Sequence, residues 1–134
     1  MWMTIDLNSE IPIYSQIRNQ IIEGIVTGSV RTNDSLPSVR QFAADLGINL
    51  HTVNKAYNLL KQEGFVQVHR QKGAVVNPPD SYRANDEYYT NVNEALRPII
   101  AESLCRGVAR EDFLNICERI YEEYGNVKEG ENNG

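Results

Sequence analysis

Leu36-Pro37-Ser38-Val39-Arg40-Gln41-Phe42-Ala43-Ala44-Asp45-Leu46-Gly47-Ile48-Asn49-Leu50-His51-Thr52-Val53-Asn54-Lys55-Ala56-Tyr57-Asn58-Leu59-Leu60 is the stretch that decides the fold. Its apolar residues form two short stripes separated by a break. Val39, Phe42, Ala43 and Leu46 sit at i, i+3, i+4 and i+7, the spacing that places side chains on one face of a helix. Ser38, just ahead of them, carries a hydroxyl suited to capping the first free amides. Gly47 supplies the left-handed backbone that ends a helix, Ile48 plugs the turn, and Asn49 can accept an amide hydrogen bond at the head of the next helix. Val53, Ala56, Tyr57 and Leu60 then repeat the stripe. Two helices that each bury one narrow face across a tight turn make a helix-turn-helix.

The outer face of the second helix carries Leu50, His51, Thr52, Asn54, Lys55 and Asn58. These are hydrogen-bonding tips, a methyl and a cation, with no Asp or Glu among them. An ordinary solvated helix face usually mixes both signs of charge. An acid-free face of this kind suits the major groove of DNA.

Past Gly64 the period becomes alternating. Phe65, Val66 and Val68, then Ala74, Val75 and Val76, flank the polar insert His69-Arg70-Gln71-Lys72-Gly73. This predicts a β-hairpin. Placed directly after a recognition helix, such a hairpin is a wing, and Arg70 and Lys72 at its tip are cations of the kind that meet phosphate or the minor groove.

With the wing included, the chain resembles the GntR family of bacterial transcription regulators. The resemblance runs through Ile11-Pro12-Ile13-Tyr14-Ser15-Gln16-Ile17, Asp34-Ser35-Leu36-Pro37-Ser38-Val39-Arg40, Leu46-Gly47-Ile48-Asn49, Thr52-Val53-Asn54-Lys55-Ala56-Tyr57 and Lys72-Gly73, about the first 77 residues. A short helical C-terminal region is similar to that of the family's YtrA-like branch; other branches carry larger domains. The resemblance implies that Arg40 reaches DNA from beside the groove. It implies that Asn49, Leu50, His51, Thr52 and Asn54 face bases and phosphates, and that Lys72 and Gly73 bring the wing to the minor groove. Two departures stand out. The family wing often reads Gly-Lys-Gly, and Gln71 occupies its first position. Leu50 stands where some relatives have arginine, so an apolar touch on a thymine methyl replaces a guanine contact there. Ser38, Lys55 and Arg70 complete the expected DNA-binding set.

Outward from this core, Asn8 or Ser9 is expected to cap a helix whose first turn tolerates Pro12. Ile13, Tyr14, Ile17, Ile21, Ile22, Ile25 and Val26 give that helix a broad apolar side, and Gly28 terminates it. Gly24 inside it costs about 1 kcal/mol relative to Ala, which suggests that another backbone packs close there. Asn77-Pro78-Pro79-Asp80 breaks the pattern after the hairpin and marks a boundary. Residues 1–77 hold seven Lys or Arg against six Asp or Glu, a net of +1, and the remainder holds six against twelve, a net of −6. The net charge of −5 therefore does not argue against DNA, because charges more than about 8 Å apart are largely screened at physiological salt and the local face decides.

Beyond the boundary, Tyr89, Val92, Leu96, Ile99, Ile100 and Leu104, then Phe113, Leu114, Cys117, Ile120, Tyr121 and Tyr124, repeat a helical spacing. Two helices joined near Gly107 are expected, the first bent or broken by Pro98 around Leu96 and Arg97. Glu111 and Asp112 favour the start of the second. Two such helices cannot enclose a core alone. A homodimer through residues about 82 to 124 would bury their stripes and present two recognition helices to one face of DNA. The expected architecture is thus mainly α with a small β wing: an N-terminal winged helix-turn-helix over 1–77, a linker over 78–81, a helical dimerisation region over 82–124 and a frayed tail over 125–134.

Nothing in the pattern supports catalysis. His51 and His69 lack a carboxylate or cysteine at metal-ligand spacing, and Cys105 and Cys117 lack a Cys-x-x-Cys arrangement, so neither metal, cofactor nor catalytic residues are expected. Met1-Trp2-Met3 is followed by polar residues and no apolar run nears the 18 or so needed to span a membrane, so a cytoplasmic chain is expected. The leading function is a sequence-specific, dimeric DNA-binding regulator, a repressor by family habit. The resemblance further suggests control of an ABC transporter operon through a palindromic operator in double-stranded DNA. The competing reading is a winged-helix adaptor that grips another protein, and its usual large apolar anchors are represented on this face by Leu50 alone. A small-molecule effector is compatible with the first reading. Tyr88, Tyr89, Arg97, Tyr121 and Tyr124 could line a cleft for one, but core or dimer packing explains them better and no effector is named by the residues.

Overall fold

A computed structural model describes the backbone of residues 3–133 and the side chains of residues 3–125. The chain divides into two compact units, the first ending at Tyr82 and the second beginning at Arg83.

The first unit contains α1 (Ile13–Thr27), α2 (Val39–Leu46), α3 (Leu50–Gln62), β1 (Val66–His69) and β2 (Gly73–Val76), followed by a 3-10 turn over Pro79–Tyr82. The strands pair antiparallel in the register Val66↔Val76 to His69↔Gly73. Ile17 and Ile21 of α1, Phe42 of α2, Val53 and Leu60 of α3, and Val76 of β2 are the large side chains most fully withdrawn from water. The stripes of α1, α2 and α3 read from the sequence therefore meet in one core. Burying such a side chain contributes roughly 1.5 to 3 kcal/mol.

The local punctuation explains where the helices start and stop. Ser38 Oγ accepts from the Gln41 amide at 3.1 Å, Gly47 ends α2 at a φ of 67°, and Asn49 Oδ1 accepts from the His51 amide at 2.7 Å. Gly28 closes α1 at a φ of 85°. Gly24 is buried, and the Val30 amide donates to its carbonyl at 3.0 Å as the chain folds back over the end of α1. The start of α1 differs from the expectation. Pro12 is its N-cap, without a side-chain cap, whereas Ser9 Oγ accepts from the Ile11 amide in the preceding turn. Pro12 has no amide to satisfy, and its carbonyl already accepts from the Ser15 and Gln16 amides, so a hydroxyl further upstream is not needed to begin the helix.

Two tertiary features have no counterpart in the sequence reading. Met3 enters the core, and the segment after it is held along α1 by two glutamines one turn apart. Gln16 Nε2 donates to the Asp6 and Ile11 carbonyls at 3.0 and 2.8 Å while its Oε1 accepts from the Asp6 amide at 2.9 Å. Gln20 makes the same kind of reciprocal pair with the backbone of Thr4. The second feature is an extra edge on the wing, where Ser35 bridges to Val75. Flanking it, the Asn33 amide donates to the Val76 carbonyl, the Val76 amide to the Asp34 carbonyl and the Leu36 amide to the Ala74 carbonyl, at 2.8 to 2.9 Å.

The residues expected as a linker, 78–81, lie against the start of the hairpin. Asn77 Nδ2 donates to the Gly64 carbonyl at 2.9 Å, and Tyr82 stacks on Phe65 with ring centroids 4.6 Å apart. Gly64 has a φ of 88°, and a Cβ there would fall 2.5 Å from the Ser81 carbonyl oxygen. Only glycine satisfies both the handedness and the space.

The second unit is a pair of helices, α4 (Asp86–Cys105) and α5 (Arg110–Asn133). Asn85 caps α4 by accepting from the Tyr88 amide at 2.9 Å, and the turn between the helices has Gly107 at a φ of 81°. Pro98 lies inside α4 without breaking it. A proline removes one backbone bond, and here helical turns on both sides carry the chain across. No residue of α4 is buried, and Ile99, Leu104, Leu114 and Tyr121 are among the exposed large apolar side chains. The stretch expected as a frayed tail, 125–134, falls on backbone that continues α5 to Asn133; its side chains after residue 125 lie outside the described residues. Among the described residues no helix is long and apolar enough to cross a membrane.

Candidate nucleic-acid interface

The helix starts of α2 and α3 are the natural place for an anion to approach, because unpaired amides and the helix dipole concentrate positive potential there. Neither first turn contains an acidic residue. Ser38 and Asn49 use one acceptor each as caps, which leaves the Ser38 hydroxyl hydrogen and the Asn49 Nδ2 amide as outward donors. Arg40, in the second position of α2, is exposed.

Along α3, His51, Asn54 and Lys55 are exposed and Thr52 is half-buried. Leu50 retains 36% of its surface. Lys55 is not a free-swinging cation, since its Nζ lies 4.0 Å from the centroid of the Tyr14 ring of α1. The two residues line one shallow concavity together with His51, Asn54 and Asn58. Tyr14 reads from the sequence as part of the apolar side of α1. Its position in the first turn of that helix gives no hint that it would meet a cation of α3, which is a contact between distant parts of the chain.

At the wing, His69 and Gly73 close the ladder and Arg70, Gln71 and Lys72 form the loop between them. Gly73 has a φ of 72°, and Asn33 is the sole described non-glycine residue with positive φ. Gln71 therefore occupies backbone that any L-residue adopts, and the family's glycine at that position is not required to shape this loop. Arg70, Lys72 and Gly73 are exposed. Val68, on β1, keeps 63% of its surface.

Among the described residues, Arg40, Arg70 and Lys72 make no ion pair. A bidentate pair joins Arg18 of α1 to Glu63 at the far end of α3, at 2.7 and 3.0 Å. The cations at the helix starts and the wing are thus available to an outside anion. Beneath them, Tyr57 is buried between α2 and α3. Its hydroxyl donates to the Pro37 carbonyl at 2.7 Å, and its ring meets Phe42 edge-on at 6.0 Å. Burial pushes the Tyr57 phenol well above the usual tyrosine range.

Every residue of the expected DNA-binding set lies in the first unit, at the start of α2, at the head and in the first half of α3, or on the hairpin from Arg70 to Gly73. What they compose is a donor-rich, acid-free surface with one apolar contact point. Such a surface can bind a polyanion and read hydrogen-bonding edges. It lacks the paired acid and base that general acid–base work requires. Among the described residues no cluster of His, Cys, Asp or Glu could hold a metal ion, and Cys105 and Cys117 are free thiols.

Residues 13–76 match the family described as bacterial regulatory proteins, gntR family. Over 129 residues, 96% of this chain and 97% of the relative, the sequence is 33% identical to the HTH-type transcriptional repressor YtrA of Bacillus subtilis. Among solved structures, YtrA from Sulfolobus acidocaldarius, a GntR-family transcription factor, is 40% identical with a TM-score of 0.55, covering 90% of this chain and 97% of that one. A transcriptional antiterminator from Listeria monocytogenes superposes with a TM-score of 0.86 at 25% identity, covering 92% of each chain.

Proposed function

We propose, proceeding from the fact that this chain belongs to the gntR family of bacterial regulatory proteins, that it represses transcription by binding a palindromic operator in double-stranded DNA as a homodimer. The family is one of regulators, not enzymes. The observation that carries the reading is the acid-free face formed by the starts of α2 and α3, with unpaired cations at Arg40 and at the wing.

In this reading residues 1–77 are the DNA-binding domain. The first turn of α3 enters the major groove, where His51 and Asn54 meet base edges and Leu50 meets a thymine methyl. Ser38, Arg40, Asn49, Thr52 and Lys55 hold the flanking phosphates, and Arg70, Lys72 and Gly73 bring the wing to the adjacent groove. Residues 82–124 form the dimerisation region. The exposed Ile99, Leu104, Leu114 and Tyr121 are the surface that a second copy covers, and the two-fold axis sets the spacing of the two recognition helices. Occupying a promoter excludes polymerase, which makes repression the direct consequence of binding, and the Bacillus relative is named a repressor. The resemblance to the YtrA-like branch points to an ABC transporter operon as the target, and the protein works in the cytoplasm where that DNA lies.

Selection of bound duplexes from a random pool tests the function. Enrichment of an inverted repeat, bound with strong salt dependence by a protein of dimeric mass, is the expected result. A pool that enriches no sequence would return the protein-adaptor reading, and a monomeric mass at micromolar concentration would remove the dimer.

A further inference from the structure

We propose that Tyr57 is a positioning residue of the DNA-binding face: its buried hydroxyl, by holding the Pro37 carbonyl, fixes the start of α2, with Ser38 and Arg40, against the recognition helix. The proposal rests on the reading of that face as a DNA-binding surface.

The geometry singles out this hydroxyl. Tyr57 is 7% exposed, and its ring fills the space between α2 and α3 against Phe42. A phenylalanine would supply the same packing, so the hydroxyl has a separate task. Its acceptor is a carbonyl that α2 leaves unused. The Gln41 amide, which a continuing helix would direct to Pro37, goes to Ser38 Oγ at 3.1 Å instead, and the Phe42 amide takes the Ser38 carbonyl at 2.9 Å. The phenol therefore supplies what the helix does not.

Pro37 also ends the segment that the wing holds. The Leu36 amide donates to the Ala74 carbonyl at 2.8 Å and the Asn33 amide to the Val76 carbonyl at 2.9 Å. Residues 33–38 are thus tied to β2 on one side and, through Tyr57, to α3 on the other. Immediately beyond the tie lie the α2 N-cap Ser38 and, two residues further, Arg40. The three elements of the DNA-binding face meet at this segment. Of its ties, the Tyr57 hydroxyl is the one that a single side-chain change removes without touching the backbone. A buried hydrogen bond of this kind fixes direction more than it adds net stability, because it replaces bonds that both groups make to water in the unfolded chain.

The test is a double-mutant cycle on the full-length protein, measured as affinity for the duplex selected from the random pool. Tyr57→Phe is expected to weaken binding about fivefold. Arg40→Ala should weaken it more strongly in the wild-type background than in the Tyr57→Phe background, because Arg40 no longer sits where its phosphate contact is strongest. Two losses that simply multiply, or wild-type affinity in Tyr57→Phe, would overturn the proposal. Hydrogen exchange in the free protein gives a reading independent of DNA. The Gln41 and Phe42 amides, which donate to the Ser38 hydroxyl and carbonyl, should exchange faster in Tyr57→Phe while those of α1 do not, and unchanged exchange at these two amides overturns the proposal as well. A wild-type protein that binds no duplex at all is a different failure, since it removes the proposed function and this inference with it.

Discussion

The ammonium of Lys55 lies 4.0 Å from the centre of the Tyr14 ring, joining the first turn of α1 to the outer edge of α3. A cation held on an aromatic face has its direction set before any anion arrives. This is how the first helix, which contributes none of the expected base-reading residues, shapes the surface that does.

Tyr14→Leu is accordingly expected to lower stability by about 0.5 to 1 kcal/mol beyond the lost packing, the range for an exposed cation on a ring. Urea unfolding of Tyr14→Leu, Lys55→Ala and the double variant isolates the pair. Additive losses would mean that the contact contributes nothing.

Lys72 is exposed at the wing and makes no ion pair among the described residues. If it neutralises one phosphate, Lys72→Ala should flatten the dependence of log affinity on log salt by roughly 0.9 per subunit. A titration series from low to physiological salt reads this directly, and an unaltered slope takes Lys72 out of the interface.

His51 and Asn54 project from the first half of α3. Replacing either with Ala should relax preference at particular base positions by about 1 to 3 kcal/mol. Competition among single-base operator variants separates the outcomes. Equal weakening on every duplex would reassign the residue to phosphate.

Tyr57 gives the fold an alkaline limit. Burial raises its folded-state pKa above the ordinary tyrosine value of about 10 that the unfolded chain retains. The stabilisation from keeping the phenol neutral is complete below pH 10 and declines as pH rises from there toward the folded-state value, by up to about 1.4 kcal/mol per pH unit. Unfolding free energies measured from pH 8 to 11 should fall more steeply above pH 10 for the wild type than for Tyr57→Phe. Parallel curves would show that the phenol does not titrate with unfolding.

The parts of the interface that were legible in the sequence are those governed by neighbours along the chain. Ser38, Gly47 and Asn49 act within a few residues of themselves, so their capping roles follow from residue type and spacing alone. The apolar stripes of α2 and α3 follow in the same way from the helical period. Where a local rule had two solutions, the reading chose the wrong one. Ser9 could cap a helix, but Pro12 begins it and Ser9 serves a turn instead.

Fold class, the helix-turn-helix, the wing and the residues turned outward were determined by the order of amino acids, because periodicity and capping act over one or two turns. Tertiary structure alone decided that Gln16 and Gln20 clasp the leading segment, that residues 33–36 pair with β2, that Tyr57 reaches Pro37, and that Lys55 rests on Tyr14. Each of these joins groups distant in sequence or segments whose meeting no local period announces. Their partners exist only once hydrophobic burial has brought the helices together, and a hydrogen bond worth about 1 kcal/mol net then selects among arrangements that the core already permits.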